Sequence, residues 1–146
     1  MADCKQCVTF YLDNYFFGVD VLKVQEVIRP QEMTAVPMAP KLISGLNNLR
    51  GQIVTAMDLR GRLGLSDRPE DQRPMNVVIQ NNNEAVSLLV DEIGDVLEID
   101  SEMYEPPPET LTSAIRETFE GVYKLEDQLM VLLNVEKLLQ GDSTSP

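Results

Sequence analysis

The sequence contains no histidine. That removes the usual general base and the commonest metal ligand. Cysteine occurs only at Cys4 and Cys7, a lone C-x-x-C. A zinc site would need two more ligands, and no other cysteine or histidine can supply them. A thioredoxin-type pair would stand between a strand and a helix, not beside the terminus. The two thiols therefore read as incidental, in a reduced compartment. Phosphate-cradling loops are missing as well: Gly51, Gly61 and Gly64 have the wrong spacing and no partner lysine. There is no G-x-S-x-G elbow, and the carboxylates show no metal-loop spacing. No apolar run approaches the length of a membrane span, and no charged-then-apolar leader is visible. The expectation is a cytoplasmic binding module with no enzymatic activity, no cofactor, no metal and no membrane insertion.

Basic residues are scarce in one half. Residues 1–75 carry nine Lys/Arg and nine Asp/Glu, whereas residues 76–146 carry three and fifteen, which accounts for the whole net charge of −12. No basic stripe is offered to phosphates, so nucleic acid is excluded as a partner. A single carboxylate here reads as solvated surface. The asymmetry between the halves suggests that they present different fields to different partners.

The chain is organised around Ile43 to Leu63, ISGLNNLRGQIVTAMDLRGRL. Gly45 to Leu49 reads as a strand, Arg50-Gly51 as a tight turn and Gln52 to Met57 as the return strand. Asp58 is a good N-cap for a short helical turn. Residues 121–139, GVYKLEDQLMVLLNVEKLL, repeat the pattern without a gap. Gly45 meets Gly121, Gln52 meets Gln128 and Leu63 meets Leu139, and Asp58 meets Asn134, another N-cap residue. Apolar positions are kept on both sides, as in Leu46/Val122, Val54/Met130 and Ala56/Leu132. One supersecondary unit is thus used twice. The charge at the turn is reversed, with Glu126 in the place of Arg50. A structural pair with a carboxylate such as Glu26 and a contact to a partner are both open to Arg50, and one residue can hold both roles.

Shorter signals fill in the rest. Val8–Leu12 and Tyr15–Val19 read as a hairpin, Asp20–Lys23 as a helical turn capped by Asp20, and Val24–Ile28 as a strand. Prolines 37 and 40 mark an extended segment. Residues 66–74 are polar with two prolines and read as a linker. The order then recurs: Val77–Ile79 and Ala85–Val90 form a hairpin, Val90-Asp91 matches Val19-Asp20, and Val96-Leu97-Glu98-Ile99 matches Val24-Gln25-Glu26-Val27 with one inserted residue. Two further strands and a closing helix, Asn134–Gln140, follow. Simple alternation along the third strand places Val24 and Glu26 on one face and Val27 on the other. The expected fold is mainly β, two five-stranded barrels related by the repeat, with short helices and a C-terminal helix. The whole chain forms one domain, with barrel subdomains at 8–66 and 75–140 and exchange of strands between them left open.

These segments resemble a known family. FGVDVLKVQEVI at 17–28, VPMAPKLISGLNNLRGQIV at 36–54, MDLRGRLGL at 57–65, VSLLVDEIGDVLEI at 86–99 and LLNVEKLL at 132–139 look like the CheW family of chemotaxis coupling proteins. The resemblance covers about residues 7 to 140. It implies two SH3-like barrels sharing a hydrophobic seam, in a non-catalytic adaptor. Its partners would be the cytoplasmic tip of transmembrane chemoreceptors and the regulatory domain of a chemotaxis histidine kinase. It also implies a receptor groove between the subdomains, with Val24, Glu26 and Val27 at matching positions and the family's turn arginine at Arg50, next to Gly51. One departure is Thr55 after Val54, where family members often have proline. The same adaptor in another kinase pathway, such as pilus or surface motility, is the alternative. A stand-alone peptide-binding barrel is the third reading.

Overall fold

The computed structural model describes residues 5–29, 43–49, 51–66, 69, 71–81, 84–126 and 128–143. The first half forms β1 (Lys5–Leu12), β2 (Tyr15–Asp20), a 3-10 turn (Val21–Lys23), β3 (Val24–Ile28), β4 (Ile43–Leu49), β5 (Gln52–Asp58) and α1 (Leu59–Arg62). The second half forms β6 (Met75–Asn81), β7 (Glu84–Val90), β8 (Glu92–Ile99), a 3-10 turn (Ser101–Met103), β9 (Tyr104–Glu105), α2 (Ser113–Thr118), β10 (Phe119–Lys124), β11 (Leu129–Leu133) and α3 (Val135–Ser143). The caps fall where the short polar residues place them. The Asp20 side chain accepts from the Leu22 amide at 3.0 Å, Asp58 from Arg60 at 3.1 Å and Asn134 from Lys137 at 2.9 Å. α2 and β9 are additions that the sequence reading did not contain.

The fold is mainly β, built as two sheets. One has the strand order β8-β1-β2-β11-β10-β9, the other β3-β6-β7-β5-β4. Neither sheet draws on one half of the chain alone. The β1–β2 hairpin is flanked by β8 and β11, and the β6–β7 hairpin is flanked by β3 and β5. Each half thus lends its hairpin to the other half's sheet, and β2–β11 and β5–β7 are the parallel contacts among the described residues. A large apolar cluster lies where the sheets face one another, with Phe10, Phe17 and Val19 from one and Met57, Ile79 and Leu88 from the other. The opposite faces carry smaller inner clusters: Cys7, Phe16, Ile99, Met130 and Leu132 in the first sheet, Val54 and Val78 in the second. This is the SH3-like pair with a shared seam, although among the described residues neither hydrogen-bonded ladder closes into a ring.

The repeated unit is reproduced down to its irregularities. Gly45 lies opposite Ala56 and Gly121 opposite Leu132, and both ladders slip at the same place, between Ile43 and Gly45 and between Phe119 and Gly121. The remaining strands need a different frame from the one read in sequence. Gly18 lies beside Leu132 and Ser87 beside Ala56, which makes Gly18 and Ser87 equivalent. Val19 then corresponds to Leu88, not Val90. Following the ladders outward, Val27 lies opposite Val77, and Val96 opposite Val8. Val24 therefore corresponds to Ile93, Val27 to Val96 and Leu22 to Asp91. The Val-Asp dipeptide occurs in both halves by coincidence, because register is set by pairing across the sheet and not by local identity.

Candidate functional site

The apolar residues expected to bind a partner sit on β3, an edge strand of the five-stranded sheet. Val24 lies opposite Ile79, Glu26 opposite Val78 and Val27 opposite Val77, with a slip in register between Val24 and Glu26. Directly opposed residues share a face of the sheet. The extra residue in the slip therefore reverses the alternation, as a β-bulge does. Val24 and Val27 share the seam face with Ile79 and Val77, and Glu26 points with Val78 toward the inner cluster. This corrects the expectation that Val24 goes with Glu26. Val24 packs against the seam core, and Val27 is 37% exposed at its rim.

Gly51 occupies the β4–β5 turn, closed by the Leu49–Gln52 pair. Its φ of +85° explains why glycine stands there, since a side chain would have ample space but an unfavourable backbone. Arg50 lies outside the described residues. β3 and β4 form opposite edges of their sheet. In the other half, however, the residues equivalent to Glu26 and Arg50, Asp95 and Glu126, line one cleft.

Four exposed apolar side chains went unnoticed in the sequence. Ile53, 68% exposed, follows the β4–β5 turn, and its repeat equivalent Leu129 is 40% exposed after the β10–β11 turn. Val96, the equivalent of Val27, is 55% exposed, and Leu22 at the tip of the first 3-10 turn is 87% exposed. Strand residues alternate regardless of exposure, so apolar periodicity alone does not distinguish Ile53, Leu129 and Val96 from core positions, and Leu22 stands in a turn that no periodicity marks.

The strongest electrostatic feature is also one that the sequence reading missed. Arg60 in α1 donates Nε to Asp91 Oδ1 at 3.0 Å and a terminal guanidinium nitrogen to Oδ2 at 2.5 Å. Both side chains are 7% exposed. The same carboxylate accepts from the Asp13 amide at 2.8 Å, and Arg60 also reaches the Ser66 carbonyl at 3.1 Å. The hydrogen bond to Asp91 holds the guanidinium pKa above its ordinary value, against the opposing effect of burial. The pair is structural, a two-pronged fork that ties α1 to the β7–β8 junction and the first hairpin turn.

Catalytic chemistry finds little foothold. Among the described residues no group of three or more Cys, Asp or Glu is placed to hold a metal. Cys7 is fully buried in β1, and burial, with Asp20 adding to it, pushes its thiol up to about 11. It is a packing residue that stays protonated at neutral pH. Cys4 lies outside the described residues. No described helix is long and apolar enough to cross a membrane.

Comparison with known proteins adds to this geometry. Residues 6–143 match the family model of the CheW-like domain. The chemotaxis protein CheW of Klebsiella aerogenes is 31% identical over 138 residues, covering 94% of this chain and 83% of the relative. Protein PilI of Pseudomonas aeruginosa is 24% identical over 124 residues, covering 85% and 70%. Among solved structures, the scaffolding protein TtCheW of Thermoanaerobacter tengcongensis aligns with a TM-score of 0.78 at 29% identity over 90% of both chains.

Proposed function

The chain belongs to the CheW-like domain family, a family of non-catalytic scaffold and adaptor proteins, and from that premise we propose that it couples chemoreceptors to a chemotaxis histidine kinase. Receptor tip and kinase regulatory domain are its two partners, bound in the cytoplasm at membrane receptor arrays. In this reading Val24 and Val27 line the receptor groove from the seam face, and Glu26 on the other face of β3 pairs with Arg50, next to Gly51, to hold its edge. The observation that carries this is the slip in β3, which turns Val24 and Val27 to one face and leaves Val27 half-open at the rim. A receptor helix can lay an apolar stripe into such a groove. One rigid body that holds both partners couples their equilibria, and weak contacts suffice when many copies share one lattice.

The test is binding of a receptor-tip fragment and of a kinase regulatory domain to the purified protein. Val27→Lys is expected to weaken receptor binding by roughly tenfold or more, because it places an unpaired charge where the exposed part of an apolar side chain would be covered, with little change in melting temperature. Arg50→Ala and Glu26→Ala should each weaken it too. Their losses should fall short of adding in the double variant, as expected for a pair. Unchanged receptor binding by Val27→Lys would remove the groove from this face. The match to PilI favours a second reading, the same adaptor in a pilus pathway. The receptors and kinase encoded beside the gene separate the two.

A further inference from the structure

We propose that a cleft in the second unit, separate from the groove assigned to the receptor, receives a cationic segment with an apolar side chain from a protein partner. The cleft lies between the end of β8, the 3-10 turn after it and the β10–β11 turn, and encloses about 760 Å³. Its floor is Leu97, Met103 and Leu125, which cover the inner cluster of Cys7, Phe16, Ile99, Met130 and Leu132 only in part. Methionine in such a floor adapts to the shape of what it meets. The rim is acidic: Asp95, Glu98 and Glu126 line it, against Lys124 alone. The wider surface has the same sign, since the chain carries nine Asp/Glu and no Lys/Arg between Pro74 and Arg116.

The repeat shows which part of this is fold and which is recognition. Leu97 and Leu125 correspond to Ile28 and Leu49 of the first unit, so the apolar skeleton is kept. Glu98 and Glu126 stand where the first unit has Arg29 and Arg50, so the charge is reversed at these two rim positions, while Asp95 keeps the sign of its equivalent Glu26. Acidic residues on β8 alone could serve to protect an edge strand from pairing. That role does not extend to Glu126, which lies across the cleft on another turn, nor to the apolar floor. A low-dielectric floor with a rim of one sign attracts the opposite charge and orients it, and does so less as salt rises.

The experiment is a titration of the methyl-labelled full chain, followed by NMR, with two synthetic peptides. Both carry the same Leu-Phe centre, one flanked by Arg and Lys, the other by Glu. The expected result is a saturable shift of the Leu97, Met103 and Leu125 methyls with the cationic peptide only. Its Kd should rise roughly tenfold between about 0.05 and about 0.5 M salt. Glu98→Arg and Glu126→Arg, both at exposed positions, should abolish the shift without lowering the melting temperature. An equal response to both peptides, a response outside the cleft, or none at millimolar peptide overturns the proposal. So do shifts that follow protein concentration alone, which would identify the occupant as a second copy.

Discussion

Two junctions of the molecule occupy equivalent places and are built in opposite ways. Where β7 runs into β8, Asp91 is buried and forked to Arg60 of α1 at 2.5 Å. Where β2 runs into β3, the equivalent of Asp91 is Leu22, 87% exposed. The equivalent of Arg60 there is Glu136 of α3, which meets Lys23 at 3.9 Å in a largely exposed pair. Exposed pairs contribute about 0–1 kcal/mol, whereas breaking a buried pair leaves an uncompensated charge and costs roughly 3–5 kcal/mol. A duplicated unit has kept its topology while its ionic stabilisation has moved to one side. The open junction is the one that leads into β3 and the groove assigned to the receptor. Its loose chemistry leaves an apolar tip available there, while the buried fork holds the frame from the other side.

The largest effect comes from cutting the connection on which both junctions depend. Residues 5–66 and 75–143 expressed apart are each expected to lack a cooperative thermal transition, because each half holds strands whose neighbours lie in the other. Mixed, they should regain one, monitored by circular dichroism. A stable β fold from either fragment alone would show that the exchanged hairpins are not needed, and the two junctions could then be treated as independent. Asp91→Ala comes next, with an expected loss of roughly 3–5 kcal/mol in denaturant unfolding. Replacing both Arg60 and Asp91 by leucine should recover part of that loss, because no charge is left stranded. The smallest effect is at the open junction: Lys23→Ala should cost no more than about 1 kcal/mol, and less in high salt. Equal losses at Asp91 and Lys23 would erase the contrast between the two sides.

Local features were legible in the sequence, and features that cross the two halves were not. Asp20, Asp58 and Asn134 announce their helical turns because a cap is satisfied within three residues of itself. The β4–β5 and β10–β11 units could be aligned because both keep a glycine just after the slip in the ladder. The slip in β3 has no such marker. It arises from pairing with β6, a strand of the other half, and it decides which face Val24 and Val27 share. Arg60 and Asp91 are likewise far apart in sequence, and nothing near either one indicates that they meet. α2 is a short helix, too short for apolar periodicity to reveal, and only Thr112 as its cap and the buried Ile115 give it definition.

The reciprocal loan of hairpins also sets an order of assembly as the chain leaves the ribosome. The five-stranded sheet needs nothing beyond Val90, so it can be completed while the residues after Val90 are still being made. β1 and β2 precede the other strands but cannot be flanked until β8 and β11 appear, and β11 ends at Leu133. The earliest hairpin thus waits longest, with both its edges open. Closing contacts across nearly the full chain is slow, and open edges are where wrong pairing begins. The six-stranded sheet is therefore the later of the two to be completed, and its first hairpin is the element most open to wrong pairing in the interval.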